Sequence, residues 1–135
     1  MEDKAVIALA IMIVIAASGC LSEKGNQQKV TASSTDWWNK GNALYVQGKY
    51  DEAVQAYDKA IELNPQYAVA WTTKGNALHA QGKFDEALQA YNKAIEINPQ
   101  SADAWFNKGD VLKSLGRNTE ANAAFAKAKE LGYRA

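Results

Sequence analysis

Residues 68–101 read AVAWTTKGNALHAQGKFDEALQAYNKAIEINPQS, and the 34 residues on either side repeat them. Aligning 34–67, 68–101 and 102–135 superposes Trp37, Trp71 and Trp105; Gly41, Gly75 and Gly109; Leu44, Leu78 and Leu112. The register continues through Gly48, Gly82 and Gly116, Ala53, Ala87 and Ala121, Tyr57, Tyr91 and Phe125, and Ala60, Ala94 and Ala128, then Pro65 and Pro99. The first two units agree at about two-thirds of their positions. A fixed period of this length is the mark of a stacked-repeat architecture, in which no unit buries its apolar face alone.

Within each unit the apolar spacing predicts two helices. In the first, Trp37, Leu44 and Tyr45 recur at helical intervals and stop at Gly48; Ala53, Tyr57, Ala60 and Ile61 then recur until Asn64-Pro65. Gly48, Gly82 and Gly116 fall where a left-handed residue closes the first helix. Pro65 and Pro99 end the second, since proline cannot continue the hydrogen-bond ladder. Gly41, Gly75 and Gly109 lie inside first helices, where glycine costs about 1 kcal/mol relative to alanine. That cost is explained by close approach of the partner helix, which the small Ala53, Ala87 and Ala121 also permit.

Spacing and residue types together resemble the tetratricopeptide repeat over the whole of 34–135. The resemblance implies an all-α fold of three tandem helical hairpins in a short right-handed superhelix, an α-solenoid. Two departures stand out: Lys40, Lys74 and Lys108 occupy the place usually held by Leu before the first glycine, and the third unit lacks the terminal proline. In this family the first helices line a concave groove that holds a peptide or protein segment. The corresponding positions here are Thr35, Trp38, Asn39, Asn42, Tyr45 and Val46; Val69, Thr72, Thr73, Asn76, His79 and Ala80; and Asp103, Phe106, Asn107, Asp110, Lys113 and Ser114. Trp38, Tyr45 and Phe106 have no evident core role and are expected to cover apolar groups of a partner, while Asn42 and Asn76 give and accept hydrogen bonds to its backbone. The heat-shock carboxylate clamp of the family, Lys, Asn, Asn, Lys and Arg, maps onto Trp38, Asn42, Thr73, Asp103 and Asn107. One of five positions matches and one carries the opposite charge, so that specificity does not transfer.

The last unit differs on its second helix: Asn122 replaces Val54 and Leu88, and Lys129 replaces Ile61 and Ile95. Polar groups there suit an end face with no neighbour. Stacking of copies through end faces, giving a homo-oligomer, is the alternative to an adaptor; a chaperone for the assembly of exported proteins is another.

Other functions are excluded more simply. The 135 residues carry 15 basic and 15 acidic side chains, so no basic excess serves nucleic acid. One Cys and one His make a metal site implausible. No nucleophile is paired with a base and no glycine-rich phosphate loop is present, so neither an enzyme nor a cofactor is expected. Asp51, Glu52, Asp85, Glu86 and Glu120 open second helices, where they complement the helix dipole.

Residues 5–17, AVIALAIMIVIAA, are of another kind. About 13 residues are too few for a permanent span, which needs ~20, and suit the apolar region of a secretory signal over residues 1–19. The run ends in Ala17-Ser18-Gly19 followed by Cys20, the only cysteine. That arrangement resembles the lipobox of prokaryotic lipoproteins and implies a lipidated Cys20; an uncleaved signal anchor is the other reading. Both place the folded part outside the cytoplasmic membrane, attached to it. Residues 20–33 are polar and tether-like, with a reach on the order of 20 Å. Cys20→Ser is expected to release the protein from membranes or leave an unprocessed precursor. Mass spectrometry of the wild-type N-terminus checks this: a lipidated Cys20 supports processing, and an intact, unmodified Met1 leaves the anchor.

Overall fold

The first helix begins where a serine can cap it. Ser33 Oγ accepts the Asp36 backbone N–H at 3.2 Å, and the Asp36 carboxylate accepts the Ser33 backbone N–H at 2.8 Å, a reciprocal arrangement that satisfies two otherwise orphaned donors. These bonds hold the Asp36 carboxyl below its usual range. From this cap the computed structural model, which describes residues 31–134, runs through six helices. They are α1 (Ser34–Val46), α2 (Tyr50–Leu63), α3 (Ala68–Ala80), α4 (Phe84–Ile97), α5 (Ala102–Ser114) and α6 (Asn118–Glu130), with no strand among the described residues. The apolar segment 5–17, Cys20 and the expected tether as far as residue 30 lie outside the described residues.

Consecutive helices pack as hairpins, α1 on α2, α3 on α4 and α5 on α6, and α2 packs on α3 and α4 on α5. The first helices also touch one another, α1 with α3 and α3 with α5. The result is the all-α array of three hairpins that the repeat predicts. Each hairpin turns on a glycine: Gly82 has φ 74°, its N–H bonds to the His79 carbonyl at 2.9 Å, and the Lys83 N–H returns to the Leu78 carbonyl at 2.9 Å. Such bonds satisfy carbonyls that the helix end leaves free.

Between units the latch is an indole. Asn64 and Asn98 are extended, as a residue before proline must be. The carbonyls of Pro65 and Pro99 then accept the indole N–H of Trp71 at 3.1 Å and Trp105 at 3.0 Å. Lys40, Lys74 and Lys108 lay their ammonium groups over Trp37, Trp71 and Trp105 at 4.7, 5.4 and 5.2 Å from the ring centres. Lysine at the usual leucine position thus still covers the tryptophan with its stem, and adds a cation–π contact of about 0.5–1 kcal/mol. Lys74 also pairs with Asp58 of the preceding unit at 2.7 Å.

The core differs from expectation in what faces the helical glycines. A Cβ on Gly75 would lie 2.5 Å from Cε1 of Tyr91, and one on Gly109 would lie 2.5 Å from Cε1 of Phe125; Gly41 faces Tyr57 in the same way. The close approach is therefore glycine against an aromatic ring. The alanines Ala53, Ala87 and Ala121 are buried beside it. Tyr57 and Tyr91, each 1% exposed, are the largest fully buried side chains. Trp71, in contrast, is only half-buried and packs on the rim of the cluster around Leu78, Tyr91 and Leu112. Burial is uneven, since α1 buries only Gly41 while α5 buries Ala104, Gly109, Val111 and Leu112. On the outer face of α1, Asp36 and Ala43 are exposed where Ala70 and Ala77 are fully buried in α3; on α6, Asn122 and Lys129 are exposed.

Because Tyr91 is buried and its ring would have to shift from an added methyl group, Gly75→Ala is expected to destabilise the protein by about 1–3 kcal/mol. The same change in an open helix gains about 1 kcal/mol. The urea midpoint decides the sign, and a higher midpoint in the variant would show that the ring moves aside.

Candidate functional site

The side-by-side first helices leave a groove whose floor is set by the ring-on-glycine contacts. Tyr57 and Tyr91 reach past Gly41 and Gly75, and their hydroxyls emerge between the first helices. Tyr57 donates to Asn42 Oδ1 at 2.8 Å and Tyr91 to Asn76 Oδ1 at 2.7 Å. Burial pushes the Tyr57 phenol up to about 12, against a smaller opposing effect of the Thr73 hydroxyl. It pushes Tyr91 higher still, with electrostatic repulsion from the Asp110 carboxylate, and from Tyr45 once that phenol ionises, adding to it. Both phenols are therefore protonated donors throughout the neutral range.

This pairing explains the third unit. Phe125 replaces the tyrosine and has no hydroxyl to donate, and Asp110 stands where Asn42 and Asn76 stand. The amide and the phenol occur together in two units and are lost together in the third. Sequence reasoning treated the two positions separately and missed the link, although their joint change was visible.

Three hollows follow one another along the groove. The first, about 240 Å³, is lined by Asn42, Tyr45, Val46, Tyr57, Thr73 and Asn76. The second, about 430 Å³, lies among Tyr45, Asn76, His79, Ala80, Tyr91 and Asn107. The third, about 300 Å³, joins α3 to α5 through Val69, Thr72, Thr73, Asn107, Asp103 and Tyr133, among others. Among the described residues the exposed large apolar side chains are Val46 at 86%, Leu63 at 57% and Val69 at 48%. Two of these three line the groove.

The structure brings Asn42, Tyr45, Thr72, Asn76, His79 and Asn107 together along these hollows. Asn39 and Lys113 are exposed and contribute to none of the three, and Asp110 is half-buried. Several expectations need correction. Phe106 has a packing role: it stacks on Tyr133 at 4.1 Å between ring centres, nearly parallel, and meets Phe125 at 5.3 Å. Trp38 packs against Tyr67 at 6.0 Å and donates its indole N–H to Thr73 Oγ1 at 3.2 Å. Tyr45 has an edge contact with Tyr50 at 5.3 Å but still lines two hollows. Asn76 cannot freely give and accept, because its carbonyl already takes both the Tyr91 hydroxyl and the Asn107 amide, the latter at 3.1 Å. Asn42 gives one of its two carbonyl lone pairs to Tyr57, and both asparagines keep amide protons to donate. His79 packs on the Phe84 edge at 5.4 Å, with its Nε2 3.5 Å from Ser114 Oγ.

Tyr133 was not foreseen. It stands where the earlier units have proline, but Gly132, at φ 95°, turns the chain back so that the Tyr133 N–H meets the Ala128 carbonyl at 2.9 Å. Its ring is thereby delivered to Phe106. The Gly-Tyr pair in place of Asn-Pro was the available signal. Among the described residues no group of His, Cys, Asp and Glu is arranged to hold a metal, and no helix is long and apolar enough to cross a membrane.

Models of the tetratricopeptide repeat match residues 37–67, 56–89 and 102–131, and a TPR-repeat model matches 75–116. The chain belongs to the tetratricopeptide-repeat family. Among solved structures, the Arabidopsis OM64 TPR domain is 32% identical, with a TM-score of 0.73 over 74% of this chain and 83% of that one. The first TPR domain of Spaghetti (RPAP3), bound to the HSP90 peptide SRMEEVD, is 29% identical, with a TM-score of 0.73 over 74% of this chain and 79% of that one. The crystal structure of MamA is 32% identical with a TM-score of 0.72, covering 75% of this chain; the chain spans 59% of the MamA chain. No curated protein matches the sequence.

As a TPR protein, the chain holds its groove asparagines in place through buried phenols, and this coupling is measurable. Asn76→Ala leaves the Tyr91 hydroxyl without its acceptor and is expected to cost about 1–3 kcal/mol. Asn76→Ala combined with Tyr91→Phe should recover most of that loss. Urea unfolding of the two single variants and the double variant tests it; strictly additive losses would disprove the coupling.

Proposed function

We propose that this protein is a noncatalytic, membrane-tethered adaptor whose groove holds an extended segment of a protein partner. The observation that carries the reading is the exposure of Val46 and Val69 inside a groove otherwise walled by half-buried amides and hydroxyls. Exposed apolar groups beside unspent amide protons suit an extended chain, which offers side chains to the first and backbone carbonyls to the second. The amide protons of Asn42 and Asn76 serve as the carbonyl donors; Tyr45, Val46 and Val69 take apolar side chains. A peptide complex in the related Spaghetti domain supports the same use of the fold.

The peptide in that complex, SRMEEVD, is acidic. Here Trp38 and Asp103 stand at the two lysine positions of the clamp described for the family, so an acidic tail meets no cation there. The partner segment is accordingly neutral or basic along this stretch. Stacking of copies end to end is the weaker alternative, because both outer faces of the array carry exposed polar groups, Asp36 on one and Asn122 and Lys129 on the other. Membrane attachment through a lipidated Cys20 or an uncleaved apolar segment completes the proposal: one acyl chain binds marginally and two bind stably. The segment 20–33 would then let the repeats search a shell on the order of 20 Å deep.

Site-specific photo-cross-linking in membranes tests the adaptor. A photoreactive amino acid at Val46 or Val69 is expected to capture the same discrete partner, whereas one at Lys59, exposed on α2, captures none. Capture only from Lys59 would move the interaction off the groove, and capture of a second copy of the chain would favour stacking.

A further inference from the structure

We infer that the hollow between α3 and α5 is a subsite for a basic side chain, arginine above all, of the segment held in the groove; the inference rests on the groove reading above. Thr72 donates its hydroxyl to the Ala68 carbonyl at 3.1 Å, and Thr73 donates to the Val69 carbonyl at 3.0 Å. Asn107 donates its amide to Asn76 Oδ1. The threonine protons are thus spent on the protein's own groups, while Thr72 Oγ1, Asn107 Oδ1 and the Asp103 carboxylate keep lone pairs; the Asn76 amide and the second Asn107 amide proton stay beside them as donors. Asp103 is exposed, is the only charged residue in the lining, and makes no ion pair among the described residues.

A lining whose single charge is negative, with acceptor oxygens beside it, is complementary to a cationic donor. Guanidinium has five donors in a planar fork and ammonium has three. Tyr133 adds an aromatic wall fixed by its stack on Phe106, and arginine packs well on aromatic faces. The hollow, about 300 Å³, is large for a bare ion and suits a side chain. Acidic ligands are repelled at the same place, which gives the groove a polarity along its length: apolar and amide contacts from α1 to α3, a charged anchor between α3 and α5.

The detergent-solubilised full chain, immobilised and panned against a library of random heptapeptides, tests this directly. Wild type is expected to enrich Arg or Lys at one fixed position. Asp103→Asn should lower the affinity of the best peptide about tenfold or more, and Asp103→Lys should replace the basic preference by an acidic one. Melting curves confirm that these surface variants stay folded, and Asn76→Ala identifies peptides that use the groove. Groove-bound peptides with no basic position, or a basic preference that survives both Asp103 variants, would overturn the subsite while leaving the adaptor standing. If no peptide distinguishes wild type from Asn76→Ala, the groove reading falls and the subsite with it.

Discussion

An aromatic ring lying on a glycine is the contact on which the rest of this molecule depends. Tyr57, Tyr91 and Phe125 each occupy the space that a Cβ would fill on Gly41, Gly75 and Gly109. This brings the two helices of each hairpin close together, and small residues pack beside the ring, with Ala53, Ala60, Ala87, Ala94, Ala121 and Ala128 all buried. Interiors packed this tightly do not adjust smoothly to an added methyl group. The same contact also carries function, since the ring is long enough for its hydroxyl to pass the glycine and reach the groove.

Structure and binding surface are therefore coupled through single hydrogen bonds. A buried phenol needs an acceptor, and the acceptors are the asparagines that present amide protons to the groove. Where the phenol is absent, at Phe125, the partner position is free to become Asp110, and the third unit acquires a different electrostatic character. The first helix of the third unit thus carries two carboxylates, Asp103 and Asp110, at positions where the other two units carry none. Neighbouring units are joined by a separate device, the tryptophan that donates to the preceding proline carbonyl and is roofed by lysine. Burial is thinner in α1 than in α5, so the first unit is expected to open more readily than the last.

The outermost helices of the described array differ from the inner ones in local chemistry. At α1, Asp36 serves the capping box on a surface that alanine fills in the other two units. After α6, Gly132 and Tyr133 take the place of Asn-Pro and fold the chain back onto Phe106. Each substitution turns a surface that would meet another repeat toward water or toward the groove.

What the sequence determined by itself is the periodic part: a 34-residue repeat, two helices per unit, glycine turns and proline stops. Those features arise from backbone geometry and local apolar spacing, which act within a few residues and are written in order along the chain. Tertiary structure alone decided which groove residues are available. Phe106 and Trp38 read as free aromatics until the ring of Tyr133, 27 residues on, and the ring of Tyr67, 29 residues on, were seen to cover them. Asn76 read as donor and acceptor until Tyr91 and Asn107 were seen to claim its carbonyl. The bond from Asn107 to Asn76 and the stack of Tyr133 on Phe106 each occur once and leave no periodic trace, because they depend on where whole helices bring side chains together and not on any neighbour in the sequence.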